Sequence, residues 1–168
     1  MDKITKEKFK NVQLVLLDCD GVLTDGYVQV DSAGNEYARF SHRDGMGIKL
    51  LKRAGVKIIV VTTQVSLYVT ARCKKMQIPC HQAVEDKTEF VRHLITTENI
   101  DPMHVIFMGD DVQDLGPMSI VGLPVAVADA VEGVKIKAVY VTERKGGEHA
   151  VREVCDLILE AKREGQNE

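Results

Sequence analysis

Short, nearly continuous apolar runs alternate with amphipathic segments along most of this chain. The runs at residues 12–17, 56–62 ("VKIIVVT") and 104–108 ("HVIFM") are separated by segments whose apolar residues recur at helical spacing. Strands that are apolar on both faces are typical of a parallel sheet covered by helices on both sides. The sequence therefore predicts a doubly wound α/β fold, with residues 1–168 in a single domain.

One excursion interrupts this alternation after the first strand. Residues 27–30 and 37–40 flank "DSAGNE", and two short strand-like runs around turn residues are typical of a β-hairpin. At the two ends, we expect a polar, solvated segment over residues 1–10 and a polar tail over residues 164–168.

Polar residues follow three of the apolar runs at the point where each run ends. Asp18 and Asp20 end the first, Thr62 ends the second, and Asp110 and Asp111 follow a later one. Because the carboxyl ends of parallel strands form the ligand site of an open sheet, we expect these residues to converge. Carboxylates gathered there repel each other unless a cation lies among them. Oxygen ligands without histidine or cysteine suit Mg²⁺.

A metal among carboxylates favours a phosphate as the second ligand. Lys87 begins a predicted helix in "EDKTEF". Together with Thr62 it supplies the cation and the hydroxyl that a phosphoryl oxyanion needs as charge moves during transfer. Taken alone, Lys87 is an ordinary solvated lysine and Asp114 an ordinary helix cap. The inference depends on the ordered set.

That set resembles the haloacid dehalogenase superfamily of phosphotransferases. The matching motifs are "DCDGVLTDG", "VVTT", Lys87 and "GDDVQD", in this order, and they span nearly all of the chain. The resemblance implies that Asp18 is the nucleophile and that Asp20 is the general acid and then the base. The resemblance also implies that Thr62 and Lys87 hold the phosphoryl oxygens and that Mg²⁺ is bound by Asp18, the Asp20 carbonyl and Asp110. Asp111 and Asp114 would support the metal shell or position Lys87.

The intervals between these motifs leave no room for a cap domain. A capless member with this hairpin is similar to the 3-deoxy-D-manno-octulosonate 8-phosphate phosphatases. The segments "FSHRDGMGIKLLKRAG", "VAVADA" and "GGEHAVREVCDLIL" also resemble that branch. The resemblance implies a homotetramer in which neighbouring subunits cover the site. The implied substrate contacts, besides Asp20, are Ser41, His42, Arg43, Asp44, Gly45, Lys49, Gln64, Arg72 and Lys87.

The chain departs from this branch directly after Thr62. Where the branch reads T-G-R, this chain has Thr62, Thr63 and Gln64, so a charge-assisted contact to an acidic sugar is lost. The eight-carbon sugar-acid phosphate is therefore the main hypothesis for the substrate, and nonulosonate 9-phosphates are the alternative. The segment "RKGG" at residues 144–147 either reaches a neighbour's pocket or forms a turn.

Two other classes of function are alternatives to this hypothesis. A phosphoacceptor receiver domain uses aspartates, Mg²⁺, threonine and lysine, but in a different strand order, and an inactive oligomerisation domain would tend to lose the catalytic acids. The net charge of -3 argues against nucleic-acid and anionic-membrane surfaces. No apolar run approaches the ~20 residues of a membrane helix. We therefore expect a cytoplasmic protein with reduced cysteines.

Overall fold

A computed structural model describes residues 3–165. The strands are β1 (Leu14–Leu17), β2 (Gln29–Val30), β3 (Glu36–Tyr37), β4 (Lys57–Val61), β5 (Cys80–His81), β6 (Val105–Gly109), β7 (Leu123–Ala126) and β8 (Tyr140–Val141). The α-helices are α1 (Lys3–Lys10), α2 (His42–Arg53), α3 (Leu67–Met76), α4 (Lys87–Thr97), α5 (Leu115–Met118), α6 (Glu132–Lys137) and α7 (Ala150–Glu164). Short 3-10 helices cover Pro102–His104 and Val112–Asp114.

Six parallel strands form the central sheet in the order β5-β4-β1-β6-β7-β8. Strand β1 lies in the middle, with Leu16 beside Ile59 of β4 and Phe107 of β6. All four β1 residues are buried, as expected for a strand covered on both faces. Strands β2 and β3 form a separate antiparallel hairpin. The predicted α/β fold with its hairpin is confirmed, and no cap domain is inserted within residues 3–165.

Helices α2 and α7 pack closely against each other on one side of the sheet. Ser41 caps α2, because its hydroxyl accepts hydrogen bonds from the backbone N–H groups of Arg43 and Asp44. A Cβ atom at Gly47 would lie 3.1 Å from Cβ of Cys155 and 3.3 Å from Cα of Arg152, so glycine at this position lets the two helices approach closely. This contact fixes the start of α2 at the carboxyl edge of the sheet.

The N-terminal segment, expected to be polar and solvated, forms helix α1 over residues 3–10. Phe9 departs from that expectation, because it is fully buried and its ring meets Tyr140 edge-on at 5.9 Å. Burying such a ring contributes ~2 kcal/mol, which outweighs the polarity of its neighbours. Residues 1–2, and residues 166–168 of the predicted tail, lie outside the described part of the chain.

Helix α6 lies between β7 and β8 and was not predicted from the sequence. Its six residues bury only Val134, a pattern too short for hydrophobic periodicity to reveal.

Within residues 3–165, no helix has the length and apolarity that crossing a bilayer requires.

Candidate active site

The carboxyl ends of β1, β4 and β6 bring the predicted polar residues together. Asp18 follows β1 and its N–H still pairs with the carbonyl of Met108 in β6, so the side chain is placed by the sheet itself. Asp18 is 1% exposed, Thr62 1% and Lys87 2%. Charged groups this deeply buried are rare unless they are paired, which makes this cluster a candidate functional site.

Lys87 forms the central ion pairs of the cluster. Its Nζ lies 2.9 Å from Oδ1 of Asp18 and 2.8 Å from Oδ1 of Asp114. Its place at the start of α4 is set by Asp86, which caps the helix by accepting from the N–H of Glu89. Burial alone would lower the pKa of Lys87, but the attraction of the two carboxylates outweighs it and raises that pKa. Lys87 is therefore a cation at neutral pH.

Asp114 supports the site without offering a free oxygen. Its Oδ1 holds Lys87, and its Oδ2 accepts from the N–H groups of Asp110 and Asp111 at 2.9 and 3.4 Å. Asp111 in turn caps the 3-10 helix by accepting from the N–H of Val112. Both residues thus shape the turn after β6, and their supporting role in the reaction stays a prediction.

The acidic cluster has the properties of a cation site. Ligand atoms of Asp18, Asp110 and Asp114 lie within 4.8 Å of one another. Oδ1 of Asp110 and Oδ2 of Asp20 are buried and have no hydrogen-bond partner. Because the oxygens of Asp114 are engaged and Oδ1 of Asp110 is not, a hard divalent cation fits the predicted ligands, which are the side chains of Asp18 and Asp110 and the backbone carbonyl of Asp20.

Burial and mutual repulsion oppose the ionisation of this cluster. Burial, followed by the charge of Asp114, raises the pKa of Asp18 to about 7, against the pull of Lys87. Burial, followed by the charges of Asp18 and Asp114, raises the pKa of Asp110 to about 8. These are the shifts that a bound cation would reverse, since it stabilises both carboxylates in their charged form.

Asp20 is held at the edge of the same cluster. Its Oδ1 accepts from the hydroxyl of Tyr68 at 3.3 Å and from that of Thr24 at 3.5 Å. Burial raises the pKa of Asp20, and the hydrogen bonds from Tyr68 and Thr24 oppose that rise. A carboxyl whose pKa is raised can carry a proton, as a general acid must. The sequence analysis missed Tyr68, although its place one helical turn before Arg72 was a usable signal.

Two glycine-containing loops meet beneath Asp20. Gly21 has a φ of +84°, and a Cβ there would lie 2.0 Å from Oδ2 of Asp110. A Cβ at Gly146 would lie 1.7 Å from the carbonyl oxygen of Gly21, and the N–H of Gly147 donates to Val22. Gly146 and Gly147 of the "RKGG" segment therefore pack against their own chain's first motif, while Arg144 and Lys145 are exposed. A contact of the segment with a neighbouring subunit stays a prediction.

Three of the predicted substrate contacts at α2 and α3 are engaged in hydrogen bonds between elements. Arg72 donates to the carbonyl of Ser41 at 2.7 Å, and the Ser41 hydroxyl is 2.9 Å from Nδ1 of His149. Asp44 is buried and accepts from the N–H of Arg152 at 2.8 Å. These three residues thus join α2 to α3 and α7. Gly45 lies against the Arg72 guanidinium. The other predicted contacts have exposed side chains: His42, Arg43, Lys49 and Gln64.

Gln113 is a second residue that the sequence analysis missed. It lies on the exposed turn after β6, with its Nε2 3.5 Å from Oδ2 of Asp18, and its Oε1 accepts from the hydroxyl of Thr63 at 3.1 Å. A lone glutamine between two acids carries no sequence signal of its own.

Comparison with known proteins places this geometry in a family. A model of haloacid dehalogenase-like hydrolases matches residues 81–154. The chain is 38% identical over 154 residues to the 3-deoxy-D-manno-octulosonate 8-phosphate phosphatase of Yersinia pestis, covering 91% of this chain and 82% of the relative. Its counterpart in Escherichia coli K12 is 39% identical over 153 residues, covering 90% and 81%.

Solved structures agree with the sequence comparison. The Moraxella catarrhalis 3-deoxy-D-manno-octulosonate 8-phosphate phosphatase, in complex with a magnesium ion, a phosphate ion and a KDO molecule, superposes with a TM-score of 0.94 at 32% identity. The match covers 99% of this chain and 97% of that one. With the buried aspartates and lysine at the strand ends, these similarities show a phosphatase, and the chain belongs to the 3-deoxy-D-manno-octulosonate 8-phosphate phosphatase family of the haloacid dehalogenase superfamily.

Proposed function

We propose that this protein is a Mg²⁺-dependent phosphomonoesterase that hydrolyses a sugar-acid phosphate, with 3-deoxy-D-manno-octulosonate 8-phosphate as the main candidate. The observation that carries the proposal is Asp18, a buried carboxylate with Lys87 on one oxygen and Asp110 beside it. The complex of the Moraxella relative with magnesium, phosphate and KDO supports the metal and the class of substrate.

In the first half of the reaction, a carboxylate oxygen of Asp18 attacks phosphorus and the ester P–O bond breaks. Asp20 gives its proton to the departing sugar oxygen, while Lys87 and the Thr62 hydroxyl hold the phosphoryl oxygens. The Thr62 oxygen already accepts from the N–H of Gln64 at 3.2 Å, so its own proton is free to be donated. Mg²⁺ held by Asp18, Asp110 and the Asp20 carbonyl would neutralise the charges that otherwise repel an incoming phosphate.

In the second half, water attacks the phosphorus of the aspartyl phosphate. Asp20, now a carboxylate, takes a proton from that water, and the bond between Asp18 and phosphorus breaks. Inorganic phosphate leaves, and both aspartates return to their starting states. Tyr68 and Thr24 orient Asp20 through both steps, because they donate to the same carboxylate oxygen.

A phosphate-release screen tests this function. With Mg²⁺ present, the screen would cover eight-carbon and nine-carbon sugar-acid phosphates and simple phosphomonoesters. We expect turnover to be highest on the eight-carbon compound. Preference for a nonulosonate 9-phosphate would overturn the substrate, and no turnover of any compound would overturn the function.

Replacing Gln64 by arginine is expected to raise kcat/KM on the eight-carbon substrate. Gln64 is exposed beside Thr62, and a guanidinium there adds a charge-assisted contact to the sugar carboxylate, worth about tenfold. The control is Gln13→Arg, which adds the same charge just before β1, at the opposite edge of the sheet. An unchanged or lower kcat/KM for Gln64→Arg alone would contradict the idea that an arginine contact has been lost.

Mg²⁺ affinity is expected to rise with pH between about 6 and 8, because the cation must displace protons from Asp18 and Asp110. Both folded-state pKa values lie above the ordinary 3.8. The two groups therefore stabilise the metal-free fold fully below about pH 3.8, and that stability is lost progressively as pH rises to about 7 for Asp18 and about 8 for Asp110. Titration calorimetry in buffers of different ionisation enthalpy measures the released protons. Equal affinity at pH 6 and pH 8 would contradict these shifts.

The hairpin is expected to assemble a homotetramer. Tyr27 is 79% exposed, and Val30 and Tyr37 are also largely exposed, which leaves a small apolar sheet uncovered. A patch of this kind marks an interaction surface. Light scattering should give a particle mass four times that of the chain. Val30→Asp should lower that mass. Ile136→Asp on α6, which also places a charge at an exposed apolar residue, is the control and should leave the mass unchanged. Only monomer at micromolar concentration would contradict the assembly.

A further inference from the structure

Two loops are joined by a side-chain bridge directly above the candidate nucleophile. Thr63 follows β4, Gln113 follows β6, and β1 with Asp18 lies between those two strands. The Thr63 hydroxyl donates to Oε1 of Gln113 at 3.1 Å. That bond turns the amide so that its Nε2 faces Oδ2 of Asp18 at 3.5 Å. The bridge thus crosses the carboxyl end of β1.

The two oxygens of Asp18 are occupied very differently. Oδ1 accepts from the N–H of Cys19 at 2.7 Å and from Lys87 at 2.9 Å. Among the residues that the structure describes, the Gln113 amide is the one hydrogen-bond donor to Oδ2, and its distance of 3.5 Å is longer than that of a strong hydrogen bond. Oδ2 therefore keeps lone pairs for bond formation. An amide nitrogen 3.5 Å away lies close to the oxygens of any phosphoryl group that becomes bonded there.

We propose that Gln113 contacts the phosphoryl group on Asp18 and that Thr63 is the positioning residue that holds the Gln113 amide in the required orientation. This inference rests on the proposed function, since it needs Asp18 to carry a phosphoryl group. A neutral amide suits the place, because it donates to phosphoryl oxygens without competing with a cation or with Lys87. In this orientation the Thr63 hydroxyl donates to Oε1, whereas the flipped amide would turn Oε1 toward the carboxylate oxygen Oδ2 of Asp18, two acceptors that repel each other.

The anchoring of Thr63 supports a positioning role. The backbone of Thr62 pairs with His81 and Val84 on the β5 side, and the N–H of Ser66 donates to Oε1 of Gln82 at 2.7 Å. The β4 loop is therefore fixed from one side by backbone and side-chain bonds. A rigid loop lets a single hydroxyl orient an exposed glutamine that would otherwise sample several rotamers.

Steady-state kinetics of Gln113→Leu and Thr63→Val, with inorganic phosphate as competing ligand, test the proposal. Each variant should lower kcat about fivefold, with KM for the sugar-acid phosphate within twofold, and raise the inhibition constant of phosphate about fivefold. Thr63→Ser keeps the hydroxyl and should restore wild-type values. The double variant should be no worse than Gln113→Leu alone, since both changes remove one interaction.

The control is Gln13→Leu, which removes a glutamine at the amino end of β1 whose amide lies 3.3 Å from Nδ1 of His104 and does not face Asp18. It is expected to leave kcat and phosphate inhibition unchanged. Wild-type kcat and phosphate inhibition in Gln113→Leu, or equal kinetics of Thr63→Ser and Thr63→Val, would overturn the proposal. An inactive wild-type protein would instead overturn the proposed function, so the two failures are distinguishable.

Discussion

Asp18→Asn is expected to abolish phosphate release while the fold survives. The carboxamide is a far weaker nucleophile than a carboxylate and has no negative charge for a cation to bind, so we expect a loss of at least ~10³-fold in kcat. The loss in kcat is measured as the rate of phosphate release from the compound that the wild-type protein hydrolyses fastest in the screen. Retention of a tenth of the wild-type rate would contradict a nucleophilic role for Asp18.

The fold should tolerate this change for an electrostatic reason. Burial raises the pKa of Asp18 to about 7, which means that its charge is unfavourable in the metal-free protein. The asparagine oxygen can still accept from Cys19 and Lys87, and Lys87 keeps its ion pair with Asp114. The melting temperature of the metal-free variant should therefore match or exceed that of the wild type. The matched control is Asp156→Asn, which changes an exposed acid that forms an ion pair with Arg152 and should keep full activity.

Gly146→Ala is expected to give the largest loss of stability. The added Cβ would lie 1.7 Å from the carbonyl oxygen of Gly21 and 3.1 Å from that of Thr24, and both are backbone atoms that cannot rotate away. Moving one loop off the other should cost about 3 kcal/mol. In a domain of this size that lowers Tm by ~9 °C.

The same substitution should also lower activity, because the displaced loop carries Asp20. A shift of this carboxyl away from the leaving oxygen is expected to reduce kcat about tenfold in the fraction that stays folded. Gly133→Ala in α6 is the control, since a Cβ there meets no atom within 4 Å and alanine favours a helix by ~0.5–1 kcal/mol. Equal melting temperatures for the two variants would show that the loop contact is unimportant.

The sequence alone led to the α/β fold and to the family, and both are confirmed. Continuous apolar runs such as β1 and β6 report burial on both faces, and this property is local enough to be read from consecutive residues. The convergence of Asp18, Thr62 and Asp110 followed from the rule that parallel strands share one carboxyl edge. The catalytic roles of these residues stay predictions, since geometry alone does not measure turnover.

Other features followed from packing that no local pattern encodes. Residues 3–10 look polar, but α1 lies where Phe9 can be buried against Tyr140, more than a hundred residues away in the chain. The turn at Gly146 and Gly147 likewise packs against Gly21, a contact that the sequence does not indicate. In both cases the deciding partner is distant in sequence, so its position depends on the complete chain topology.

Sequence therefore determined which chemical groups this protein places at its strand ends, because order and periodicity are properties of neighbouring residues. The tertiary structure decided how those groups are held. Tyr68 on Asp20 and the bridge from Thr63 to Gln113 arise from elements that meet only after the sheet has formed. The physical reason is that a side-chain hydrogen bond needs two groups within about 3 Å, and only the folded chain sets that distance.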